Sequence, residues 1–244
     1  MSEIFKKKSD LREKVAEANK SIVDAGLVNP YTTFGNVSCI DEMHIFMAIK
    51  PSGISYEKIK PSDIVMTDLQ GNITEGGKKP SSDTLTHLEL YKNFPGVNSI
   101  IHTHSLYATS FAQAKTPLNC LGTTHADYFN GDIPVIETLT DKEILNNYEL
   151  NTGKSIVRHF KENDLNHIEI SACLVSSHGP FIWGESLESA LEKAIILEEI
   201  AKMNYITRGI NNNISSLKPK LREKHYFRKH GANAYYGQKN VQEK

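Results

Sequence analysis

The 244-residue sequence predicts a single α/β domain, a sheet with helices on its faces. Three observations carry that expectation. Short apolar runs joined by tight turns fill residues 34–74, the pattern of consecutive antiparallel strands. Longer segments with helical period alternate with further strand-like runs. No internal repeat or low-complexity block divides the chain, so residues 1–244 read as one unit with a lysine-bearing N-terminal arm and a tail at 232–244.

The elements follow in order. Asp10, with Glu13 three residues on, marks the start of a first helix carrying Leu11, Val15, Ala18 and Ile22, and Gly26 can end it. The lysines before it read as a solvated arm. Strands are expected at 34–40 and 44–49 around Asp41-Glu42-Met43, and at 64–68 and 72–74 around Gln70-Gly71. A flexible loop, 76–80, leads through Ser81-Ser82-Asp83 into a helix with Leu85, Leu88 and Tyr91 that stops by Pro95-Gly96. A strand at 98–104 precedes a short helix capped by Ser105. Residues 122–127 read as a polar loop and 134–137 as a strand. Residues 138–160 have a helical pattern broken near Asn151-Thr152-Gly153. A strand at 169–176 turns at Ser177-His178-Gly179-Pro180 into its hairpin partner. Ser186 then caps the longest helix, which presents a wide apolar face. A polar linker at 211–218 and a basic helix from about Leu221 to His230 complete the chain.

Composition narrows the function classes. A formal net charge of −1 offers no global field for nucleic acid or a membrane surface. No apolar run is long enough to span a bilayer, and the N-terminus lacks the hydrophobic region of a signal peptide, so the expected setting is cytoplasmic. Cys39, Cys120 and Cys173 are few and far apart, which argues against a disulfide framework and a cysteine-based zinc site.

Chemistry concentrates in a few stretches. His102 and His104 lie two residues apart at the end of an apolar strand, where alternate side chains share a face and can reach one metal ion. A catalytic zinc needs a third ligand. His178, also at a strand end, is the best candidate, and His125 is an alternative that spacing does not exclude. No Glu stands beside the histidines as a water-activating base, which disfavours a metallohydrolase. Ser81-Ser82-Asp83 opens a helix, where free amides bind anions, although simple capping explains the same residues. Gly35-Asn36-Val37-Ser38 and Lys50-Pro51-Ser52-Gly53 are similarly small and polar. Converging, the three loops would make a phosphate cradle, with Lys50 adding a charge. Asp127 and Tyr236 are candidate acid/base groups, the plain alternative for Tyr236 being a disordered terminus.

Seven short motifs in order complete the picture. They are Gly-Asn-Val-Ser after Phe34, Lys-Pro-Ser-Gly at 50–53, Lys-Lys-Pro-Ser-Ser-Asp-Thr at 78–84 and His-Thr-His-Ser at 102–105. Gly-Thr-Thr-His-Ala-Asp-Tyr at 122–128, Ser-His-Gly-Pro-Phe at 177–181 and Lys-His-Gly-Ala-Asn-Ala-Tyr-Tyr-Gly-Gln at 229–238 follow. Together they resemble the class II aldolase/epimerase family along nearly the whole chain. The resemblance implies an α/β/α sandwich around a largely antiparallel sheet. It implies one zinc ion per subunit on His102, His104 and His178 with Asp83 beside it. Gly35, Asn36, Lys50, Ser52, Gly53, Ser81 and Ser82 would hold a phosphosugar. Asp127 and Tyr236 would serve as the acid/base pair, reaching the site from a neighbouring subunit of a homotetramer, with His225 near them. Asp rather than Glu at position 83 favours an epimerase over an aldolase, and the resemblance then implies epimerisation of L-ribulose 5-phosphate to D-xylulose 5-phosphate at C4. The alternative is a sugar-phosphate aldolase of the fuculose- or rhamnulose-phosphate type.

Overall fold

The computed structural model describes residues 3–231 and 234–236. Helix α1 (Glu3–Asp24) buries Leu11, Val15, Ala18 and Ile22, as their spacing predicts. Gly26 ends it at φ +73°, with the Leu27 amide donating back to the Ile22 carbonyl. The start differs from expectation: the helix does not begin at Asp10 but runs back through the lysines to Glu3. Lys8 supplies a reason. Its ammonium lies 2.6 Å from Glu75 and 4.0 Å from the Phe46 ring centre, a tertiary anchor that no local cap signals.

Strands β1 (Asn36–Ile40), β2 (Phe46–Ile49), β3 (Val65–Asp68) and β4 (Ile73–Glu75) pair antiparallel in sequence. Asp41 fixes the first turn by accepting from the Met43, Ile45 and Phe46 amides, and Asp68 fixes the last by accepting from Gln70 and Asn72. β5 (Ser99–His102) joins on the other side of β1, shorter than the expected 98–104. β8 (Gly179–Gly184) pairs antiparallel with β5, and β7 (Ala172–Val175) with β8. β6 (Val135–Ile136) is added in parallel at the edge. The eight-stranded order is β4-β3-β2-β1-β5-β8-β7-β6, largely antiparallel as the tight connections predict.

The remaining helices are α2 (Thr84–Asn93), α3 (Leu106–Gln113), α4 (Thr123–Ala126), α5 (Asp141–Leu145), α6 (Tyr148–Glu162), α7 (Leu187–Ile210) and α8 (Pro219–His230). Register sorts the faces. Ser38 pairs with Ile100 and Ile100 with Trp183, so these three share one face. α2 and α6 cover it: Ser38 bonds His87 and Tyr91, and Trp183 packs on Phe94 and Phe160. α1, α3 and α7 pack together over the opposite face.

Three local expectations are corrected. α6 runs unbroken through Asn151-Thr152-Gly153, and the break falls at Asn146-Asn147, with Asn147 at φ +59°. Gly153 sits where α6 crosses α2; a Cβ there would lie 2.7 Å from Glu89 Cβ. This glycine serves packing, not breaking. Residues 123–126 form a helical turn inside the expected polar loop, with Ala126 fully buried. Ser105 makes no side-chain cap on α3; Glu198 of α7 accepts from the Tyr107 and Ala108 amides at 2.8 and 2.9 Å instead. Among the described residues no helix is long and apolar enough to cross a membrane.

Candidate metal centre and active site

His102 closes β5, paired with Asn36 of β1 on one side and Phe181 of β8 on the other. Its ring stacks on Phe181, centroids 4.2 Å apart at 14°. Nδ1 donates to the Pro180 carbonyl at 2.8 Å, which leaves the Nε2 lone pair free to ligate. His104 lies just beyond the strand, with Nε2 3.1 Å from Nε2 of His102. His178 comes from the β7–β8 turn, bent by Ser177 at φ +60°. The ligating atoms of the three all lie within 4.8 Å of one another.

The donor set fits a metal. Two imidazole nitrogens on a tetrahedral zinc, each about 2.0–2.1 Å from it, stand roughly 3.3 Å apart, close to the 3.1 Å found. Burial drives the pKa of His102 well below the ordinary value, with His178 and His104 adding to the effect. Burial likewise lowers His104 and His178, against an opposing pull from Asp83. All three are therefore neutral near pH 7, the form that ligates. His125, the alternative third ligand, lies outside this group; its Nε2 donates to the Gly131 carbonyl at 2.8 Å, and it serves the core.

Gly179 makes the close grouping possible. It lies opposite the two imidazoles, and a Cβ there would stand 2.7 Å from the Thr103 carbonyl oxygen, 3.5 Å from His102 and 3.6 Å from His104.

The three polar loops do converge. The Ser81 amide donates to the Lys50 carbonyl and the Ser52 amide to the Lys79 carbonyl, zipping 50–52 to 79–81. Asn36 ties in the third loop: its Nδ2 donates to Ser81 Oγ at 3.0 Å and to Asp83 Oδ2 at 2.7 Å. Gly35, at φ +76°, precedes it, and the Phe34 ring lies 4.9 Å from that of His104. Ser52, Gly53 and Ser82 are exposed. Asp83 stands at the N-terminus of α2, beside the histidine group and not part of it. Lys50 does not project freely. Its side chain is buried, its Nζ donates to the Thr33 carbonyl at 2.9 Å, and burial lowers its pKa to about 8.

Asp127 and Tyr236 come together elsewhere. Arg228 forks onto Asp127, Nη2 lying 3.0 Å from both carboxylate oxygens, and His225 Nδ1 approaches Oδ1 at 3.0 Å. The guanidinium of Arg228 lies 4.4 Å above the Tyr236 ring. Among the described residues no contact joins this cluster to the three histidines of the same chain. Residues 232–233 and 237–244, including Gly237 and Gln238 of the last motif, lie outside the described residues.

Sequence reasoning missed Tyr148, whose hydroxyl is 3.2 Å from His178 Nδ1, and Arg228. Arg228 carried a signal, being three residues after His225 on a basic helix. Tyr148, set by a left-handed Asn147, carried none.

Residues 13–205 match the profile of the class II aldolase and adducin N-terminal domain. The chain is 47% identical over 229 residues, 94% of its length and 99% of the relative's, to L-ribulose-5-phosphate 4-epimerase UlaF of Salmonella paratyphi C (strain RKS4594). Among solved structures, an L-fuculose 1-phosphate aldolase superposes with a TM-score of 0.74 at 29% identity, covering 88% of this chain and 94% of that one. An aldolase II superfamily protein from Pseudomonas syringae shares the fold, with a TM-score of 0.72 at 16% identity, covering 96% and 87%. Sheet order, histidine grouping and sequence match lead to one conclusion: the chain belongs to the class II aldolase and adducin N-terminal domain family.

Proposed function

We propose that the protein interconverts L-ribulose 5-phosphate and D-xylulose 5-phosphate by inverting C4, with zinc on His102, His104 and His178. The observation that carries this reading is the placement of three neutral imidazoles beside a separate polar cradle, on a chain 47% identical to a named epimerase. C4 of such a ketose carries no acidic hydrogen, so direct deprotonation cannot invert it. Breaking and remaking the C3–C4 bond can. A base takes the C4 hydroxyl proton, the C3–C4 electron pair moves onto the ketone fragment as an enediolate, and glycolaldehyde phosphate is left. The aldehyde turns its other face and the bond reforms. Zinc would supply Lewis-acid stabilisation of the negative charge that develops on the ketone fragment.

This chain's residues suit the remaining tasks. Exposed Ser52, Gly53 and Ser82, with the amides at the start of α2, would hold the phosphate while the aldehyde turns. Asn36 would orient Asp83 beside the metal. Buried Lys50 would firm the 33–35 loop over the pocket in place of a direct charge contact. Inversion needs proton transfer on both faces of the aldehyde, and Asp127 and Tyr236 would serve one each. Their separation from the histidines within one chain supports delivery from a neighbouring subunit of a homotetramer. Three unpaired cysteines suit a cytoplasmic setting.

The test is a coupled assay for D-xylulose 5-phosphate before and after chelation, with zinc restored. Activity is expected to vanish and return; indifference to chelation overturns the metal-centred reading. Mixing His102→Ala subunits with Asp127→Asn subunits is expected to restore part of the activity, and no recovery would refute shared sites. The superposition on L-fuculose 1-phosphate aldolase favours an aldolase as second reading. Release of a free aldehyde and triose phosphate from L-fuculose 1-phosphate, without C4 inversion of the pentulose, would establish it.

A further inference from the structure

We infer that Tyr148 is a positioning residue for the metal: it fixes the tautomer and ring orientation of His178 by accepting a hydrogen bond from Nδ1–H. The inference rests on the proposed metal site. Two of the three rings already have evident supports. His102 is held by the Pro180 carbonyl and the face of Phe181, and the His104 ring packs against the Phe34 ring and edge-on against that of His102. His178 differs, because it hangs from a turn. The hydrogen bond described for its side chain is to the Tyr148 hydroxyl, at 3.2 Å from Nδ1. A histidine that ligates through Nε2 carries its proton on Nδ1, so the phenol oxygen is the acceptor.

The support is itself rigid. Asn147 adopts a left-handed conformation that turns the chain into α6 with Tyr148 as its first residue. Asn151 Nδ2 donates to the Asn146 and Glu143 carbonyls and pins the break from one side. Thr86 of α2 donates to the Glu149 carbonyl at 2.6 Å and pins it from the other. The backbone that carries Tyr148 is therefore fixed on both sides, and it sets the hydroxyl within reach of His178. A phenol also adds no charge to the group, whereas a carboxylate in its place would raise the negative charge around the ion.

Tyr148→Phe deletes the acceptor and keeps the ring. Full-length wild type, Tyr148→Phe and His178→Ala are titrated with zinc against a chromophoric chelator, and the imidazole nitrogens are followed by 15N-histidine NMR. Tyr148→Phe is expected to weaken zinc about 10- to 100-fold, to leave the metal-free urea midpoint unchanged, and to speed solvent exchange of the His178 Nδ1 proton. Affinity within twofold of wild type, alongside a large loss in His178→Ala, overturns the inference and leaves the metal site standing. Equal zinc binding by wild type and His178→Ala overturns the site and the inference together.

Discussion

Gly179→Ala tests whether close approach of two strands sets the metal geometry. The added methyl would stand 2.7 Å from the Thr103 carbonyl oxygen, at least about 0.8 Å inside the separation at which carbon contacts become favourable. The neighbour is backbone and cannot rotate away. The contacts to His102 and His104, at 3.5 and 3.6 Å, are ordinary, so relief must come from parting β5 and β8. Overpacking of this kind costs about 1–3 kcal/mol, partly offset by about 0.4–1 kcal/mol from a less flexible unfolded chain. A net loss of about 1–2 kcal/mol lowers Tm by about 2–8 °C for a chain of this size. Thr103 lies between the two histidines, so its displacement moves both and zinc affinity falls with stability. Gly77→Ala, where nothing lies within 4 Å, is the control. Thermal unfolding and zinc titration are run on both variants. If Gly179→Ala melts and binds zinc like Gly77→Ala, the close-approach argument is wrong.

Other expectations follow from separate features. Burial holds His87 at a pKa of about 3 and His125 at about 4, whereas the unfolded chain takes up those protons near pH 6.5. Stability therefore falls as pH drops from about 6.5 toward those values, by about 1.4 kcal/mol per pH unit for each histidine. Urea unfolding of the metal-free protein between pH 7 and 5 is expected to show a shallower slope, by about one proton, in His87→Gln; an unchanged slope contradicts it. Glu198→Ala removes the acceptor at the α3 N-terminus and is expected to cost about 1–2 kcal/mol, while a shift of the urea midpoint within error would show that water substitutes freely. Asn36→Ala cuts the tie between Ser81 and Asp83 and is expected to leak glycolaldehyde phosphate during turnover. Complete inactivity with no aldehyde released would count against retention by the cradle.

Much of this was legible because local chemistry dictated it. Asp41 and Asp68 wrote the hairpin turns, and the i, i+2 spacing of His102 and His104 marked them as a pair, although the strand ends at His102 and His104 reaches its neighbour from just beyond it. What stayed hidden depends on partners distant in sequence. Lys8 extends α1 through Glu75, and Gly153 looks like a breaker until α2 is seen beneath it. Thr123–Ala126 has weak intrinsic helix preference and coils where α8 packs against it. Lys50 read as a free charge because a sequence does not reveal that the side chain is fully buried. Tyr148 gave no warning, since an aromatic at the start of a helix is unremarkable until the facing histidine is known.

The pairing of Asn36 with His102 and of His102 with Phe181 has a further consequence. Slippage of β5 by a single residue against either neighbour would swing His102 to the α7 side of the sheet and take it out of the three-histidine group. His102 and His104 are neighbours in sequence, but His178 joins them only once strands distant in sequence have found their register. Any metal held by the three histidines would therefore report on the register, because a mispaired chain would present at most two of them together.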